Sequence, residues 1–233
     1  MVPFSFAGES FEATPSGALY WRSQGALLVA DLHLEKASWF ASGGQFLPPY
    51  DSHATLTALA AETARTGASH LYCLGDSFHD RFGCDRLPAD ARQLLAELTA
   101  KLDWIWIVGN HDPMTQPRRP GDCAGPSFAD LCGGRIEDEV EIGGIVLRHE
   151  AAKDERQPEI SGHYHPKFRL NLRGRSVSRR CFVVSPAKII MPAFGTLTGG
   201  LDARHPEILR SVGGPAEALV PLSDRLLRFQ LAA

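Results

Sequence analysis

Three short apolar runs recur in the first half of the chain, and each leads directly into a polar cluster. Ala26–Ala30 runs into Asp31, His70–Leu74 into Gly75-Asp76, and Trp104–Val108 into Gly109-Asn110. A run that is apolar at nearly every position, not at alternate ones, predicts a strand buried on both faces. The first run is the second arm of a hairpin over 18–30, with Ser23-Gln24-Gly25 at its turn. Between the runs, 51–65 and 89–101 carry apolar residues at helical spacing. Asp51 is the expected N-cap of the first helix, behind Pro48-Pro49, and Gly67 its stop. Strand, helix, strand, helix, strand predicts an α/β layered fold. In open α/β sheets, ligands collect beyond the carboxyl ends of the strands, where all three polar clusters stand.

The second half has a different texture. Residues 113–127 are rich in proline and glycine and read as a loop. Short strand-like runs follow at Glu137–Ile142, Ile145–Arg148, Phe168–Leu172 and Cys181–Val184. They predict a second, mostly antiparallel sheet packed on the first. Residues 203–233 carry no readable chemistry, and ALVPLSDRLLRFQ within them predicts a closing strand. Nothing reads as a linker, so 1–233 is expected to be a single domain, long enough to bury a real core.

Composition narrows the function classes. Hydrophobic residues make up 44% and charged residues 22%, ordinary for a globular protein, and no apolar run approaches the length needed to cross a bilayer. The N-terminal stretch MVPFSFAGESFEA lacks a basic n-region and is not read as a signal peptide. The five cysteines form no C-x-x-C pair, which argues against a disulfide framework or a zinc knuckle and suits a cytoplasmic setting. A net charge of -3 means that any anionic partner must be attracted locally.

Five polar clusters stand in order: Asp31-Leu-His33, Gly75-Asp76-Ser-Phe-His79, Gly109-Asn110-His111-Asp112, His149, and Gly162-His163-Tyr-His165. Residues i and i+2 of a strand share a face, so Asp31 with His33, and His163 with His165, would each offer two ligands in one direction. Imidazole, carboxylate and one amide oxygen, with no thiolate, suit manganese, iron or zinc. Two divalent ions held by only two carboxylates, Asp31 and Asp76, would leave an excess of positive charge for an anionic phosphate.

The five clusters resemble the calcineurin-like metallophosphoesterase superfamily, whose pattern is D-x-H, G-D-x-x-[DH], G-N-H-[DE], H, G-H-x-H. That resemblance implies a four-layer α/β/β/α sandwich and two divalent metal ions. Asp31, His33 and His165 would hold one ion, and Asn110, His149 and His163 the other. Asp76 would bridge them, and His111 would contact the phosphate and assist the leaving group. His79 takes the place where the superfamily's protein phosphatases carry aspartate, and so resembles the nuclease branch. VADLHLEKASWFA and SPAKIIMPAFGTLTGG are similar to stretches of bacterial ligase-associated DNA damage response endonucleases, the PdeM group. This narrower resemblance implies a manganese-dependent endonuclease acting on single-stranded DNA, functionally associated with an ATP-dependent DNA ligase, a helicase and a second nuclease.

Charge patterning bears on the same question. Ser161 to Leu201 contains no Asp or Glu, yet it holds Lys167, Arg169, Arg173, Arg175, Arg179, Arg180 and Lys188. Such a stretch, starting next to His165, suits a phosphate backbone or a solvated hairpin. Arg118 and Arg119 are further candidates for substrate contact. Tyr164, Phe168, Trp104 and Trp106 are expected in the core, and Trp39 near the site. Two other classes stay open at this level: a phosphodiesterase or phosphatase for nucleotides or other small esters, and a non-catalytic binding module.

Overall fold

The structure, a computed structural model, describes residues 1–112, 132–153, 157–172 and 174–231. The proline-rich stretch read as a loop, with Arg118 and Arg119, lies outside the described residues, as does Arg173.

Two seven-stranded sheets stack face to face. The first begins as a meander of β1 (Val2–Phe6), β2 (Glu9–Ala13), β3 (Leu19–Trp21) and β4 (Ala26–Val29). It continues in parallel through β5 (His70–Leu74), β6 (Asp103–Ile107) and β7 (Arg135–Glu137). The helices α1 (Lys36–Ser42), α2 (Asp51–Thr66), α3 (Gly83–Arg86) and α4 (Ala89–Lys101) lie between β4 and β6 in the chain. The second sheet comprises β8 (Val140–Ile142), β9 (Ile145–Leu147), β10 (Glu159–Ser161), β13 (Phe182–Val184), β14 (Lys188–Ile190), β15 (Glu217–Pro221) and β16 (Leu226–Gln230). Most of its pairs are antiparallel, but β10 runs parallel to both β9 and β14. A separate hairpin, β11 (Lys167–Leu172) with β12 (Arg175–Arg180), and a short helix α5 (Pro206–Val212) complete the chain's elements.

Three apolar clusters account for this layering. Leu28, Leu74 and Ile107 meet Ile145, Ile160 and Ile189 between the sheets. Leu27, Leu71 and Trp104, on the other face of the first sheet, pack against Leu56 and Leu59 of α2 and Leu95 and Leu98 of α4. Val183 and Ile190 pack against Ile208 and Val212 of α5 and against Phe168. Beyond their first residues His70 and Asp103, β5 and β6 are apolar like β4 because both faces are covered. The order is α/β/β/α, with α5 and the hairpin as the thinner outer layer.

Several elements depart from the sequence-based expectations. Glu137–Ile142 is not one strand. The chain leaves the first sheet at Glu137 and joins the second at Val140, and the solvated pair Asp138-Glu139 marks the crossing. The hairpin containing Phe168–Leu172 stands apart from the second sheet. ALVPLSDRLLRFQ forms two strands, β15 and β16, and not one. Asp51 does not cap its own helix: its carboxylate accepts from Ala37 N at 3.1 Å, tying α2 to α1. Contrary to the expectation from cysteine spacing, Cys84 and Cys132 form a disulfide. They lie 48 positions apart and meet only because α3 and the segment entering β7 pack on the same side of the first sheet. Among the described residues, no helix is long and apolar enough to cross a membrane.

Candidate metal centre

The candidate ligand residues stand where strands end, and they come from both sheets. Asp31, Asp76 and Asn110 follow β4, β5 and β6, while His149 follows β9, and His163 and His165 follow β10. The parallel strand pairs in each sheet bring these exits to one edge of the sandwich.

Strand alternation does not aim the paired ligands, as the i, i+2 expectation had it. Asp31 (φ 53°), His33 (φ 44°), Asp76 (φ 47°), His163 (φ 71°) and His165 (φ 49°) all adopt left-handed backbone. Each such non-glycine residue costs about 1–3 kcal/mol and persists only where its surroundings over-determine it. Backbone bonds between the exit loops supply that constraint. His33 N donates to Asp76 O (2.9 Å), Leu34 N to Ser77 O (3.0 Å) and Gly162 N to His149 O (2.8 Å). His163 N donates to the buried Asp31 carboxylate at 3.0 Å.

Two candidate ligand sets result. Asp31, His33 and His165 form one, and Asp76, His149 and His163 the other, with candidate ligand atoms in each set within 4.8 Å of one another. His165 Nε2 is 3.3 Å from Asp31 Oδ1, and 3.4 Å from His33 Nε2. In the second set, Asn110 Oδ1 lies 2.8 Å from His149 Nε2 and 3.0 Å from His163 Nδ1. Asp76 stands between the sets, one oxygen 3.8 Å from His33 Nε2 and the other 3.6 Å from His149 Nε2.

This donor set fits divalent cations. Imidazole nitrogens face each other at 3.1–3.4 Å, an arrangement that lone pairs avoid unless a proton or cation lies between them. Burial, reinforced by neighbouring His165 and Lys36, depresses the His33 pKa to about 2, so its ring is neutral and able to donate a lone pair. Burial and then His149 lower the His163 pKa as well. His149 Nδ1 lies 3.0 Å from Leu74 O, and donation to that carbonyl leaves Nε2 free as the ligand atom.

Around these sets stand residues that hold or flank them. His79 and His111 stack nearly parallel, with interplanar angle 13° and centroids 5.6 Å apart, and each ring is 5.4 Å from that of His33. Burial, then Lys36 and His111, lowers the His79 pKa to about 4, which leaves it a neutral hydrogen-bonding ring. Trp39 is near the site, as expected, its ring 4.8 Å from that of His79. Asp112, which the sequence reading left without a role, is a buried brace. Its carboxylate accepts from Ser77 N (2.9 Å) and Gly109 N (2.8 Å), locking the exits of β5 and β6 together. Its G-N-H-D context was the available signal. Burial pushes its pKa up to about 7.

Of the basic stretch, Lys188 is not a substrate contact: it is buried and paired with buried Glu159 at 3.0 Å. Phe168 is core, stacked on Phe229 at 4.2 Å, and Trp104 and Trp106 are buried. Tyr164 is only half-buried, its hydroxyl bonded to Glu150 and Ser211.

Comparisons with known proteins agree with this geometry. Residues 26–179 match the model of the calcineurin-like phosphoesterase family. The structure is similar to that of a Pseudomonas putida nuclease, MPE, with TM-score 0.71 and 27% identity, covering 97% of this chain and 98% of that one. It is more weakly similar to Yfce, a phosphoesterase from E. coli, at TM-score 0.39 and 16% identity over 83% of this chain and 86% of the other. No curated protein sequence matches. The chain belongs to the calcineurin-like phosphoesterase family and is a metal-dependent phosphoesterase.

Proposed function

We propose that the chain is an endonuclease that cleaves single-stranded DNA with two divalent ions, manganese being the expected one. The observation that carries this reading is the position of His79. Its ring stacks on His111 beside His33, so two imidazoles flank the ligand sets. A phosphodiester inside a polymer has esterified oxygens on both sides of phosphorus, and the two rings would supply hydrogen bonds to the central phosphate and to one flanking oxygen. The full-length likeness to a nuclease supports the same reading.

Asp31, His33 and His165 would hold one ion, Asn110, His149 and His163 the other, and Asp76 would be shared. When bound, two such ions would supply Lewis-acid polarisation of the phosphoryl group and a lowered pKa for water. His111 is positioned beside the shared carboxylate, since its backbone N donates to Asp76 Oδ1 at 2.8 Å. Its side chain would hydrogen-bond the phosphate and pass a proton to the departing oxygen. A role in DNA repair, in the cytoplasm and alongside an ATP-dependent DNA ligase, a helicase and a second nuclease, follows from the sequence resemblance and belongs to this proposal.

Incubation with manganese and circular single-stranded DNA is expected to give linear and then shorter products, in parallel with hydrolysis of a bis-nitrophenyl phosphodiester. Hydrolysis of the ester with the circle left intact would favour the small-ester reading. His79→Ala is expected to lower cutting of the circle by about a hundredfold, the lower end of general acid–base contributions. Turnover of the small ester should fall far less. Equal losses on both substrates would remove the DNA role of His79.

A further inference from the structure

A groove of about 950 Å³ opens between the β11–β12 hairpin and the turn joining β15 to β16. Lys167, Arg179, Arg180 and Arg225 line it, with a single carboxylate, Asp224, which is paired to Arg225. Among the described residues, no carboxylate pairs with Lys167, Arg179 or Arg180. The hairpin register sets Lys167 directly opposite Arg180. Like charges facing each other across a ladder are destabilising, and here no acidic partner offsets the cost. Backbone carbonyls hold the two head groups in place: Lys167 Nζ donates to Thr198 O at 3.0 Å and Arg180 Nη1 to Ser16 O at 3.1 Å. These bonds satisfy donors without cancelling the charge, which an anion in the groove would do.

The groove is joined to the catalytic edge through short bonds. Arg180 Nη2 donates to Gly195 O at 2.6 Å, and Gly195 N donates to Asp31 O at 3.3 Å. Lys167 follows His165 closely in the chain. Lys36, at the start of α1, stands three positions after His33. Lys36 and Lys167 thus lie within three positions of candidate ligands in the chain, and Lys167 also lines the basic groove, in a protein whose net charge is -3.

We infer that this groove is the path of the substrate strand: Lys36 and Lys167 receive phosphates next to the scissile bond, and Arg180, Arg179 and Arg225 those farther along. This rests on the endonuclease reading and extends it to a second binding region away from the ions. A single strand suits the site because its backbone can bend through an open trough, its affinity coming from phosphate contacts.

The test uses Arg179→Glu/Arg225→Glu, since both side chains are exposed and neither touches a proposed metal ligand. Binding of a labelled oligothymidylate is read by fluorescence anisotropy in metal-free buffer across a salt series. Cutting of circular single-stranded DNA and of the bis-nitrophenyl diester is read with manganese. The double variant is expected to bind about tenfold more weakly at moderate salt. Its log–log salt slope should be shallower by about 1.4, the value for two lost contacts to a single strand. Hydrolysis of the diester should stay within about twofold of the wild type. The milder Arg179→Gln/Arg225→Gln should fall between, which separates lost attraction from damage to the fold. Unchanged affinity and slope, with the circle still cut by the wild type, would overturn the groove and leave the endonuclease reading intact. A wild type that neither binds the oligonucleotide nor cuts the circle would remove both. Equal sensitivity of duplex binding to the variant would overturn the assignment to a single strand.

Discussion

Asp76→Ala is expected to abolish hydrolysis of both circular single-stranded DNA and the bis-nitrophenyl diester. Asp76 is nearly fully buried, and its two oxygens face His33 on one side and His149 on the other. One oxygen also accepts from His111 N at 2.8 Å. The substitution therefore removes a donor from both ligand sets, deletes one of two carboxylates opposing four positive charges, and releases the segment carrying His111. A loss of about 4 kcal/mol of transition-state stabilisation corresponds to a rate factor of roughly a thousand. Metal content measured on the dialysed protein should fall from two ions to one or none. Turnover within tenfold of the wild type would show that Asp76 does not have the shared position.

A second large effect is expected from a residue that donates nothing to a metal. At Gly109, an added Cβ would collide with the backbone nitrogen and carboxylate of Asp76. The φ of Gly109 is outside the left-handed region, so the backbone itself would accept alanine and space alone forbids it. Gly109→Ala must push apart the exits of β5 and β6, which Asp112 holds together. Displacement of reacting groups by about 1 Å can cost a hundredfold in rate, and a loss of that order in kcat/KM is expected. Gly214→Ala serves as the control, because open space surrounds that position. Equal activity of the two variants would mean that the β5 and β6 exits yield without consequence.

The alternation of apolar runs and polar clusters was enough to place β4, β5 and β6, and with them Asp31, Asp76 and Asn110. A strand covered on both faces leaves an unmistakable run, and its exit must be polar where it meets solvent. The same reasoning erred at Glu137–Ile142, because hydropathy records burial and not which of two sheets provides it. It also gave the wrong cause for the ligand pairs. D-x-H and H-x-H match strand alternation, but here they sit in left-handed backbone held by hydrogen bonds to distant loops, which no local pattern reveals. Long-range partners account for the other gaps. Lys188 reads as one of several exposed cations until Glu159 is placed beside it, and Cys84 reads as isolated until Cys132 meets it. His79 and Trp39 were legible as residue types near the motifs. Their ring contacts depend on how α1 and the β5 exit pack together.

The origin of the ligands in both sheets has a consequence for how the protein is made. Asp31, Asp76 and Asn110 leave the ribosome well before His149, His163 and His165, and neither group alone can complete a two-ion site. A nascent chain stopped before His149 would lack a candidate ligand from each set, and is expected to be inactive however well its first sheet has folded. Even once His165 has emerged, β10 lacks its partner β14, so the loop carrying His163 and His165 is set only after the rest of the second sheet has been made.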